Sequence, residues 1–290
     1  MLHQPVLLQE VMNLLEEMSR SPRRIMDGTF GRGGHTRAFL QKYPEAQVVA
    51  CDRDAEAITY GEEELKESVK QNKLIFKHKN FAEIRSEEVG HFDGILVDLG
   101  VSSPQLDQGH RGFSFLHDGP LDMRMDVRET LTAAEIVNTW SSSELKRIFV
   151  ELGEVSRPDR AIQNIVKERQ LQAFETTAQL ADTIAKADGW RRKGFHPATQ
   201  YFMALRMQVN HELESIDSAL ETLIDCLEPQ GRLMIITFHS IEDRLVKYKL
   251  KSLLHLGSLV NKKVIKPSWN EQKNNPRARS AKLRCFERGV

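Results

Sequence analysis

Apolar runs at 25–27, 46–52, 74–79 and 94–100 alternate with amphipathic segments along the first hundred residues. Three of these runs are continuously apolar, which is typical of strands covered on both faces of a sheet. The segment 55–70 has apolar residues at helical spacing among acids and lysines, and this pattern predicts a solvated crossover helix. The alternation of strand and helix predicts an α/β fold with a parallel, doubly wound sheet.

A fifth apolar run at 232–238 predicts another strand of the same sheet, but it lies about 130 residues beyond the fourth. A gap of that length is too long for one crossover connection. The gap is helical in character, because Ser141 and Glu144, and later Thr176 and Gln179, have the spacing of capping boxes that begin helices. We therefore predict that a helical domain interrupts the sheet domain.

The predicted helical insertion covers residues 106–204, and the sheet domain is formed by 1–105 together with 205–290. One apolar helical face through 197–227 is expected to lead the chain from the insertion back to the sheet. Apolar residues at helical spacing between 7 and 18 predict a further helix, which precedes the first strand and packs on the sheet.

The composition is that of an ordinary globular protein, since 40% of the 290 residues are apolar and 28% are charged. The formal net charge is zero, yet residues 244–290 contain 13 Lys and Arg against two Asp and Glu. The neutral mean therefore conceals a basic C-terminal part.

The cysteines do not suggest a disulfide framework or a metal site. Cys51, Cys226 and Cys285 are odd in number, far apart and in no C-x-x-C arrangement. Residues 1–20 lack the cationic start and continuous apolar stretch of a signal peptide, and no apolar run is long enough to span a membrane. We therefore expect a soluble cytoplasmic protein without a bound metal.

Four glycines, Gly28, Gly31, Gly33 and Gly34, directly follow the first strand and precede a predicted helix. A strand, a glycine turn and a helix N-terminus form the arrangement with which α/β folds bind nucleotide-like ligands. Asp52 ends the second strand, 19 residues beyond Gly33, and this is the spacing at which a carboxylate reaches ribose hydroxyls.

The glycine pattern departs from the fingerprint of dinucleotide-binding proteins. Thr36 stands where that fingerprint requires a third glycine, which disfavours a nicotinamide-dependent oxidoreductase. The sequence also lacks the phosphate-binding loop of nucleoside triphosphatases. A glycine turn with a ribose acid, and no need for a pyrophosphate, suits S-adenosylmethionine as the cofactor.

The loops that follow strands four and five are the candidates for binding the second substrate, because ligands of open sheets bind beyond the carboxyl ends of strands. The first loop follows Asp98 and contains Ser102, Ser103 and Pro104; alone, this pattern favours an ordinary turn. The second contains His239, which could be a base, a hydrogen-bond donor or a helix-start residue.

Several motifs together resemble one known family. They are DGTFGRGGH, DLGVSSPQL, RGFSF followed by HDGPLDMRMD, HPAT, FHSIEDR and NPRARS. The chain is similar over nearly its full length to the MraW (RsmH) family of S-adenosylmethionine-dependent methyltransferases, which act on cytosine N4 in small-subunit (16S) ribosomal RNA. The resemblance implies a class I, Rossmann-like methyltransferase fold with an inserted α-helical domain. It also implies cofactor contacts at Gly33, Gly34, His35, Asp52, Phe81, Asp98 and Gln105, with Phe81 against the adenine.

The catalytic candidates follow from the chemistry of the amine. A cytosine amino nitrogen is a weak nucleophile because its lone pair is delocalised into the ring, so acceptors must hold the amine in the reactive orientation. Asp98, the hydroxyls of Ser102 and Ser103, the backbone carbonyls before Pro104, and His239 could supply these functions. The strand-four loop has no cysteine, which argues against attack at cytosine C5.

The RNA-binding candidates are less specific. Arg124 could bind a phosphate or could pair with Asp122 or Asp126. Arg192 and Lys193 lie among aromatic residues in 190–195, which is typical of single-stranded RNA binders and equally of a solvated loop. Further cations are Arg244 and those of the basic tail, Lys262, Lys263, Lys266, Arg277, Arg279, Lys282 and Arg284.

The expected partners are small-subunit ribosomal RNA or the small ribosomal subunit, with a homodimer as an open possibility. The main hypothesis is an RNA cytosine-N4 methyltransferase. The alternative is a non-catalytic RNA-binding ribosome assembly factor that retains the methyltransferase fold, and calorimetry with S-adenosylmethionine separates the two.

Overall fold

The computed structural model of the protein describes residues 5–188 and 196–290. Contacts divide the chain into two compact units. The sheet unit consists of Met1–Gly100 and Leu213–Val290, and the helical unit of Val101–Glu212. The sequence placed the corresponding boundaries at 105/106 and 204/205.

The described part of the sheet unit contains a seven-stranded sheet. Its strands are β1 (Arg24–Asp27), β2 (Gln47–Asp52), β3 (Leu74–His78), β4 (Phe92–Asp98), β5 (Leu227–Thr237), β6 (Gly257–Leu259) and β7 (Lys282–Arg288). The strand order is β3-β2-β1-β4-β5-β7-β6, with the first five strands parallel and β7 antiparallel to β5 and β6. The predicted α/β fold with a doubly wound sheet is confirmed.

The strand order reverses at β1, which pairs with β2 on one side and with β4 on the other. Met26 of β1 lies beside Val49 of β2 and Ile95 of β4 in this register. Such a reversal leaves a crevice at the carboxyl ends of the strands, which is where ligands of open α/β sheets bind. The glycine turn follows β1 directly, so it lies at this crevice.

The helices that the structure describes are α1 (Leu8–Glu16), α2 (Gly34–Lys42), α3 (Ala55–Glu64), α4 (Lys66–Lys70), α5 (Ser86–Val89), α6 (Ser103–Asp107), α7 (Ala133–Thr139), α8 (Ser142–Glu151), α9 (Asp159–Leu171), α10 (Thr177–Asp188), α11 (Thr199–Val209), α12 (Glu212–Asp225), α13 (Ser240–Ser252) and α14 (Trp269–Asn274).

Both predicted capping boxes are confirmed. The backbone N–H of Ser141 donates to Glu144 Oε2 at 2.8 Å, and that of Thr176 donates to Gln179 Oε1 at 3.1 Å. These bonds satisfy backbone donors at the starts of α8 and α10.

Both faces of the sheet are buried, as the continuous apolar runs predicted. Ile95 and Val97 of β4 pack in one apolar cluster, whereas Leu96 between them packs in the other. Helix α12 contributes Ile216 and neighbouring apolar residues to the first cluster, and α1 contributes Leu15 to the second. The alternation follows from the strand period of two, which sends successive side chains to opposite faces.

The helical unit has an apolar core of its own, formed by side chains of α7 to α11. Phe149 of α8 and Tyr201 of α11 meet edge to face in this core, with ring centroids 4.8 Å apart. Helix α8 is a representative contributor, because its buried residues Leu145, Ile148 and Phe149 lie on one helical face.

Three sequence expectations about the elements were wrong. Two strands, β6 and β7, were missed, because the polar alternation of 282–288 was assigned to a basic tail. The single helix expected over 55–70 is two helices, α3 and α4, which meet at Leu65. The single helical face expected over 197–227 is interrupted by His211, whose φ of 47° ends α11 before α12 begins.

Candidate functional site

The glycine turn between β1 and α2 has no room for side chains at two positions. Gly33 has a φ of 70°, a left-handed conformation that glycine adopts without strain, and a Cβ there would lie 2.5 Å from Phe30 Cε2. A Cβ at Gly34 would lie 2.5 Å from Pro5 Cγ. Gly33 is also the N-cap of α2, and no side chain in the described residues caps this helix start. The turn therefore presents backbone N–H groups and the positive end of α2 to an anionic group.

Asp52 joins the end of β2 to the glycine turn. Its Oδ2 accepts a hydrogen bond from the Gly31 backbone N–H at 2.7 Å, and its Oδ1 accepts one from Asp54 N–H at 2.9 Å. Each carboxylate oxygen has two acceptor positions, so capacity for ribose hydroxyls is left over. Burial raises the pKa of Asp52. The predicted ribose acid thus has a structural function as well.

A second carboxylate, Asp27, lies beneath the same turn. Asp27 is 1% exposed, and its Oδ2 accepts from Thr36 Oγ1 at 2.7 Å while its Oδ1 accepts from Thr29 N–H at 3.3 Å. Burial raises the pKa of Asp27 to about 6. Thr29 Oγ1 in turn accepts from the Asp98 backbone N–H at 2.7 Å, which ties the turn to the end of β4.

Asp98 is the focus of an acidic cluster at the carboxyl ends of β1, β4 and β5. Burial, and then the negative charges of Asp27 and Glu242, raise the pKa of Asp98 well above its usual value. Asp98 Oδ2 lies 3.8 Å from His35 Nε2, and its buried Oδ1 has no hydrogen-bond partner in the part of the chain that the structure describes. Such a cluster favours a cationic or hydrogen-bond-donating ligand, which would relieve the mutual repulsion.

His239 and Glu242 form the start of α13. Glu242 is fully buried, and its Oε2 accepts from the Phe238 backbone N–H at 2.8 Å. His239 Nδ1 accepts from Glu242 N–H at 3.4 Å, and His239 Nε2 lies 2.8 Å from Glu242 Oε1. Of the three alternatives for His239, the structure shows the helix-start residue. A catalytic function of His239 stays a prediction.

Phe81 lies beside the glycine turn, as its predicted contact with the adenine requires. It begins a short 3₁₀ turn, Phe81–Glu83, whose preceding residue Asn80 accepts from Ala82 N–H at 3.1 Å. Phe81 is 6% exposed, and its Cβ would lie 3.3 Å from a Cβ added at Gly28. Gly28 therefore allows the two segments to approach closely.

The remaining predicted site residues at the strand-four loop belong to the helical unit. Ser103 begins α6, Pro104 follows it, and the Ser102 backbone N–H donates to Gln105 Oε1 at 2.9 Å. Gln105 is 6% exposed. Its side chain thus stabilises the start of its own helix, and its contact with the cofactor stays a prediction.

No group of three or more His, Cys, Asp or Glu side chains within 5–188 and 196–290 is arranged to hold a metal ion. Within the same residues, no helix is long and apolar enough to cross a bilayer.

Comparison with known proteins identifies the family. The MraW methylase family matches residues 1–289. The chain belongs to this family. A ribosomal RNA small subunit methyltransferase H of Bdellovibrio bacteriovorus is 49% identical over 289 residues, covering 99% of this chain and 88% of the relative. A protein of the same name from a Cyanothece species is 48% identical over 289 residues, covering 99% of this chain and 95% of the relative.

Solved structures resemble the chain more distantly. The N-methyltransferase NodS from Bradyrhizobium japonicum, solved in complex with S-adenosyl-L-homocysteine, has a TM-score of 0.46 at 9% identity, covering 98% of this chain and 86% of that one. The family assignment rests on the family match and the two relatives. The resemblance to the MraW family seen in the sequence is therefore confirmed, and S-adenosylmethionine as the cofactor agrees with membership of a methylase family.

Within this MraW methylase, Arg124 is paired. Its guanidinium contacts both carboxylate oxygens of Asp122, at 2.8 and 2.7 Å, and donates to the Glu129 carbonyl at 2.8 Å. Of the two alternatives that the sequence left open, the structure shows the pairing with an aspartate. A bidentate pair with a carboxylate uses the donors that a phosphate would need.

Two cations of the predicted basic tail are also paired. Lys282 Nζ lies 3.1 Å from Asp243 Oδ2, and Arg284 Nε lies 2.8 Å from Asp243 Oδ1. Both belong to β7 rather than to a solvated tail, which corrects the sequence interpretation. Arg244 lies on α13, and its binding of substrate stays a prediction. Arg192 and Lys193 lie outside the described residues.

Two carboxylates of the acidic cluster, Asp27 and Glu242, were not predicted from the sequence. Asp27 was assigned only as the end of a strand, although an acid directly before a glycine turn was a usable signal. Glu242 was overlooked because the capping-box signature requires Ser or Thr as the first residue, and here His239 takes that place.

Proposed function

We propose that this protein transfers a methyl group from S-adenosylmethionine to N4 of a cytidine in 16S ribosomal RNA, in the cytoplasm. The observation that carries the proposal is the acidic cluster around Asp98, which lies beside a glycine turn at the strand-order reversal of an MraW methylase. Small-subunit ribosomal RNA as the substrate is supported by the names of the relatives.

The residues of the sheet unit fit the cofactor. The uncapped start of α2 suits the carboxylate of its amino-acid part. Asp52 suits the ribose hydroxyls, and the carboxylates of Asp27 and Asp98 suit the positive charges of the ammonium and sulfonium groups. When bound, S-adenosylmethionine supplies an electrophilic methyl group on sulfur.

The protein's contribution to the reaction is orientation of the cytosine amine. Oδ1 of Asp98, when deprotonated, accepts a hydrogen bond from the amine and turns its lone pair toward the methyl group. The loop with Ser102, Ser103 and the carbonyls before Pro104 provides further acceptors in the same proposal. The Asp98 carboxylate also stabilises the positive charge that develops on the amine nitrogen during transfer, and it receives the proton that this nitrogen releases.

Methyl transfer is tested with small ribosomal subunits from cells that lack the protein. We expect label from S-adenosylmethionine in 16S RNA, and we expect mass spectrometry of the digested RNA to identify N4-methylcytidine. Asp98→Asn should reduce transfer by about 100-fold or more, because a neutral amide can neither receive the proton of the amine nor offset the positive charge that develops on its nitrogen. Label at another atom, or none from protein that binds S-adenosylmethionine, would contradict the proposal.

A further inference from the structure

The segment 262–279 of the sheet unit forms an exposed cationic surface. It contains six Lys and Arg and one acid, Glu271. All six cations are exposed, namely Lys262, Lys263, Lys266, Lys273, Arg277 and Arg279. We call residues 262–279 the C-terminal basic surface.

Trp269, the first residue of α14, projects from this surface. Its side chain is 72% exposed, and Lys273 Nζ lies 5.3 Å from the ring centroid. An exposed indole next to a cation is the combination with which proteins bind single-stranded nucleic acid, because the ring stacks on a base while the cation meets the backbone.

The single acid of the surface is engaged by the protein itself. Glu271 Oε1 accepts a hydrogen bond from the Leu7 backbone N–H at 2.7 Å, and the Glu271 residue is half-buried. The charge that the surface presents to a partner is therefore predominantly positive.

The hydrogen bond from Leu7 to Glu271 also connects the C-terminal basic surface to the segment beside the glycine turn. Leu7 and Pro5 belong to one short N-terminal segment, and Pro5 packs against Gly34 at the start of α2. Glu271 holds this segment from the α14 side. The C-terminal basic surface thus adjoins the N-terminal segment that packs against the glycine turn.

Three cations elsewhere in the C-terminal part pair with acids. Lys282 and Arg284 bind Asp243, and Lys249 Nζ lies 3.3 Å from Asp217 Oδ1. Exposure, the lack of further acids and the projecting indole distinguish 262–279 from these neighbours.

We propose that the C-terminal basic surface binds a single-stranded segment of the RNA substrate, with a base stacked on Trp269 and phosphates bound by the flanking cations. This inference rests on the proposed function, since it assigns the RNA of that reaction to a surface outside the site of methyl transfer. Stacking provides affinity without reading sequence, and the cations make binding depend on salt.

The first test measures binding of a short, labelled single-stranded oligoribonucleotide by fluorescence anisotropy. Trp269→Ala should weaken binding by roughly 5- to 100-fold, the loss expected for one stacked base. Trp269→Phe should retain most of the affinity because it keeps an aromatic face. The oligoribonucleotide should also quench tryptophan fluorescence in the wild type, and this quench should diminish in Trp269→Phe.

The second test addresses the cations. The double variant Lys273→Gln with Arg279→Gln should weaken binding and lower the magnitude of the slope of log affinity against log salt concentration by about 1.4. The matched control is Lys66→Gln with Lys70→Gln, which removes the same charge from exposed positions of α4, beside β3 at the opposite sheet edge. Thermal unfolding and calorimetry with S-adenosylmethionine should be unchanged in all variants, because none of these side chains belongs to the cofactor site.

The outcomes separate this inference from the proposed function. If Trp269→Ala and the cation variant bind RNA as tightly as the wild type, and the wild type transfers methyl groups, the C-terminal basic surface does not bind RNA. The proposed function would then still hold. An equal loss in the α4 control would also contradict RNA binding by the C-terminal basic surface, since net charge would then explain binding. If Trp269→Ala loses RNA binding but the wild type transfers no methyl group, RNA binding by the C-terminal basic surface is supported and the proposed function is contradicted.

Discussion

The Asp98 side chain is 24% exposed and has two negatively charged neighbours, Asp27 and Glu242. Its raised pKa means that the carboxyl keeps its proton at pH values where an ordinary aspartate has lost it. Binding of a positively charged ligand favours the deprotonated form and therefore lowers this pKa. Proton release and ligand binding are thus coupled at this residue.

We expect the affinity for S-adenosylmethionine to fall as the pH is lowered, because the acids of the cluster must lose protons to bind the cation. Calorimetry between about pH 5 and pH 8 would measure this dependence, and buffers of different ionisation enthalpy would reveal the released protons. Asp98→Asn serves as the control and should show a weaker pH dependence. A pH-independent affinity of the wild type would refute this coupling.

Asp27 should give the cofactor-free protein a pH-dependent stability. Its pKa is about 6 in the folded protein, compared with 3.8 for an ordinary aspartate, so the folded state holds the proton more tightly. The stabilisation is fully present below the unfolded pKa and is lost as the pH rises through about 6; its size is on the order of 3 kcal/mol.

Asp27→Asn should remove this part of the pH dependence, because an amide does not titrate and can still accept from the Thr29 backbone N–H. Urea unfolding of both proteins at about pH 4 and about pH 7 measures how much the free energy of unfolding changes with pH in each. The same change of unfolding free energy with pH in wild type and variant would show that Asp27 is not the group responsible.

Asp52 holds the glycine turn as well as the proposed ribose, so its substitution should affect binding more than stability. Asp52→Asn should weaken S-adenosylmethionine binding by roughly 10- to 100-fold, the loss expected for hydrogen bonds to a charged group. The free energy of unfolding should fall by only about 1 kcal/mol, since the amide oxygen still accepts one of the two backbone bonds. Calorimetry and urea unfolding measure the two effects.

Asp54→Asn is the matched control for Asp52. Asp54 caps α3 by accepting from Glu56 N–H at 3.1 Å, and asparagine is an equally good N-cap. We expect this control to leave both affinity and stability close to those of the wild type. Unchanged affinity in Asp52→Asn would remove Asp52 from the cofactor site.

At the scale of elements, β7 is the strand that the sequence concealed. Its charged residues Lys282, Arg284 and Glu287 alternate with apolar ones, which is the period of a strand. The many cations of this region instead favoured the prediction of a basic tail. In the fold, Leu283 and Cys285 pack on one sheet face and Phe286 on the other. The end of the basic region is consequently part of the core.

Phe286→Ala should therefore destabilise the protein severely. Phe286 is fully buried, and truncation of such a side chain costs about 3–5 kcal/mol of unfolding free energy. Val290→Ala, two residues beyond the end of β7 and fully exposed, should change little. Urea unfolding of the two variants makes the comparison, and a loss below about 1 kcal/mol for Phe286→Ala would show that β7 is not integral to the sheet.

Other elements were predictable because their signals are local. The five parallel strands are short apolar runs, most of them uninterrupted, and α8 and α10 begin with capping boxes that are complete within four residues. The break at His211 was not predictable, because the apolar residues on its two sides keep one helical period while the backbone turns left-handed between them.

At the scale of the whole molecule, the net charge of zero is unevenly distributed. Residues 244–290 carry 13 Lys and Arg against two acids, and the rest of the chain is correspondingly acidic. An acidic body should repel RNA and confine its binding to the basic part. Homodimer formation stays a separate prediction, which analytical ultracentrifugation would check.

RNA binding should accordingly depend steeply on salt. If all six cations of the C-terminal basic surface engage phosphates of a single strand, the slope of log affinity against log salt concentration is about −4. Titrations at several salt concentrations give this slope, and S-adenosylmethionine binding, which involves no polyanion, provides the comparison. A slope near zero would mean that phosphates contribute little.

The sequence by itself determined the five parallel strands, the glycine turn, Asp52 and the family, because each is specified by residues that are neighbours along the chain. Only the tertiary structure decided which charges meet. Asp27, Asp98 and Glu242 converge at the carboxyl ends of the strands because strands distant in sequence are adjacent in the sheet, and that proximity raises the pKa of Asp98. The same folding pairs Lys282 and Arg284 with Asp243 and leaves 262–279 exposed. Whether a charged side chain can bind a ligand depends on the groups that lie next to it in the fold. The spacing of residues along the chain does not specify these neighbours.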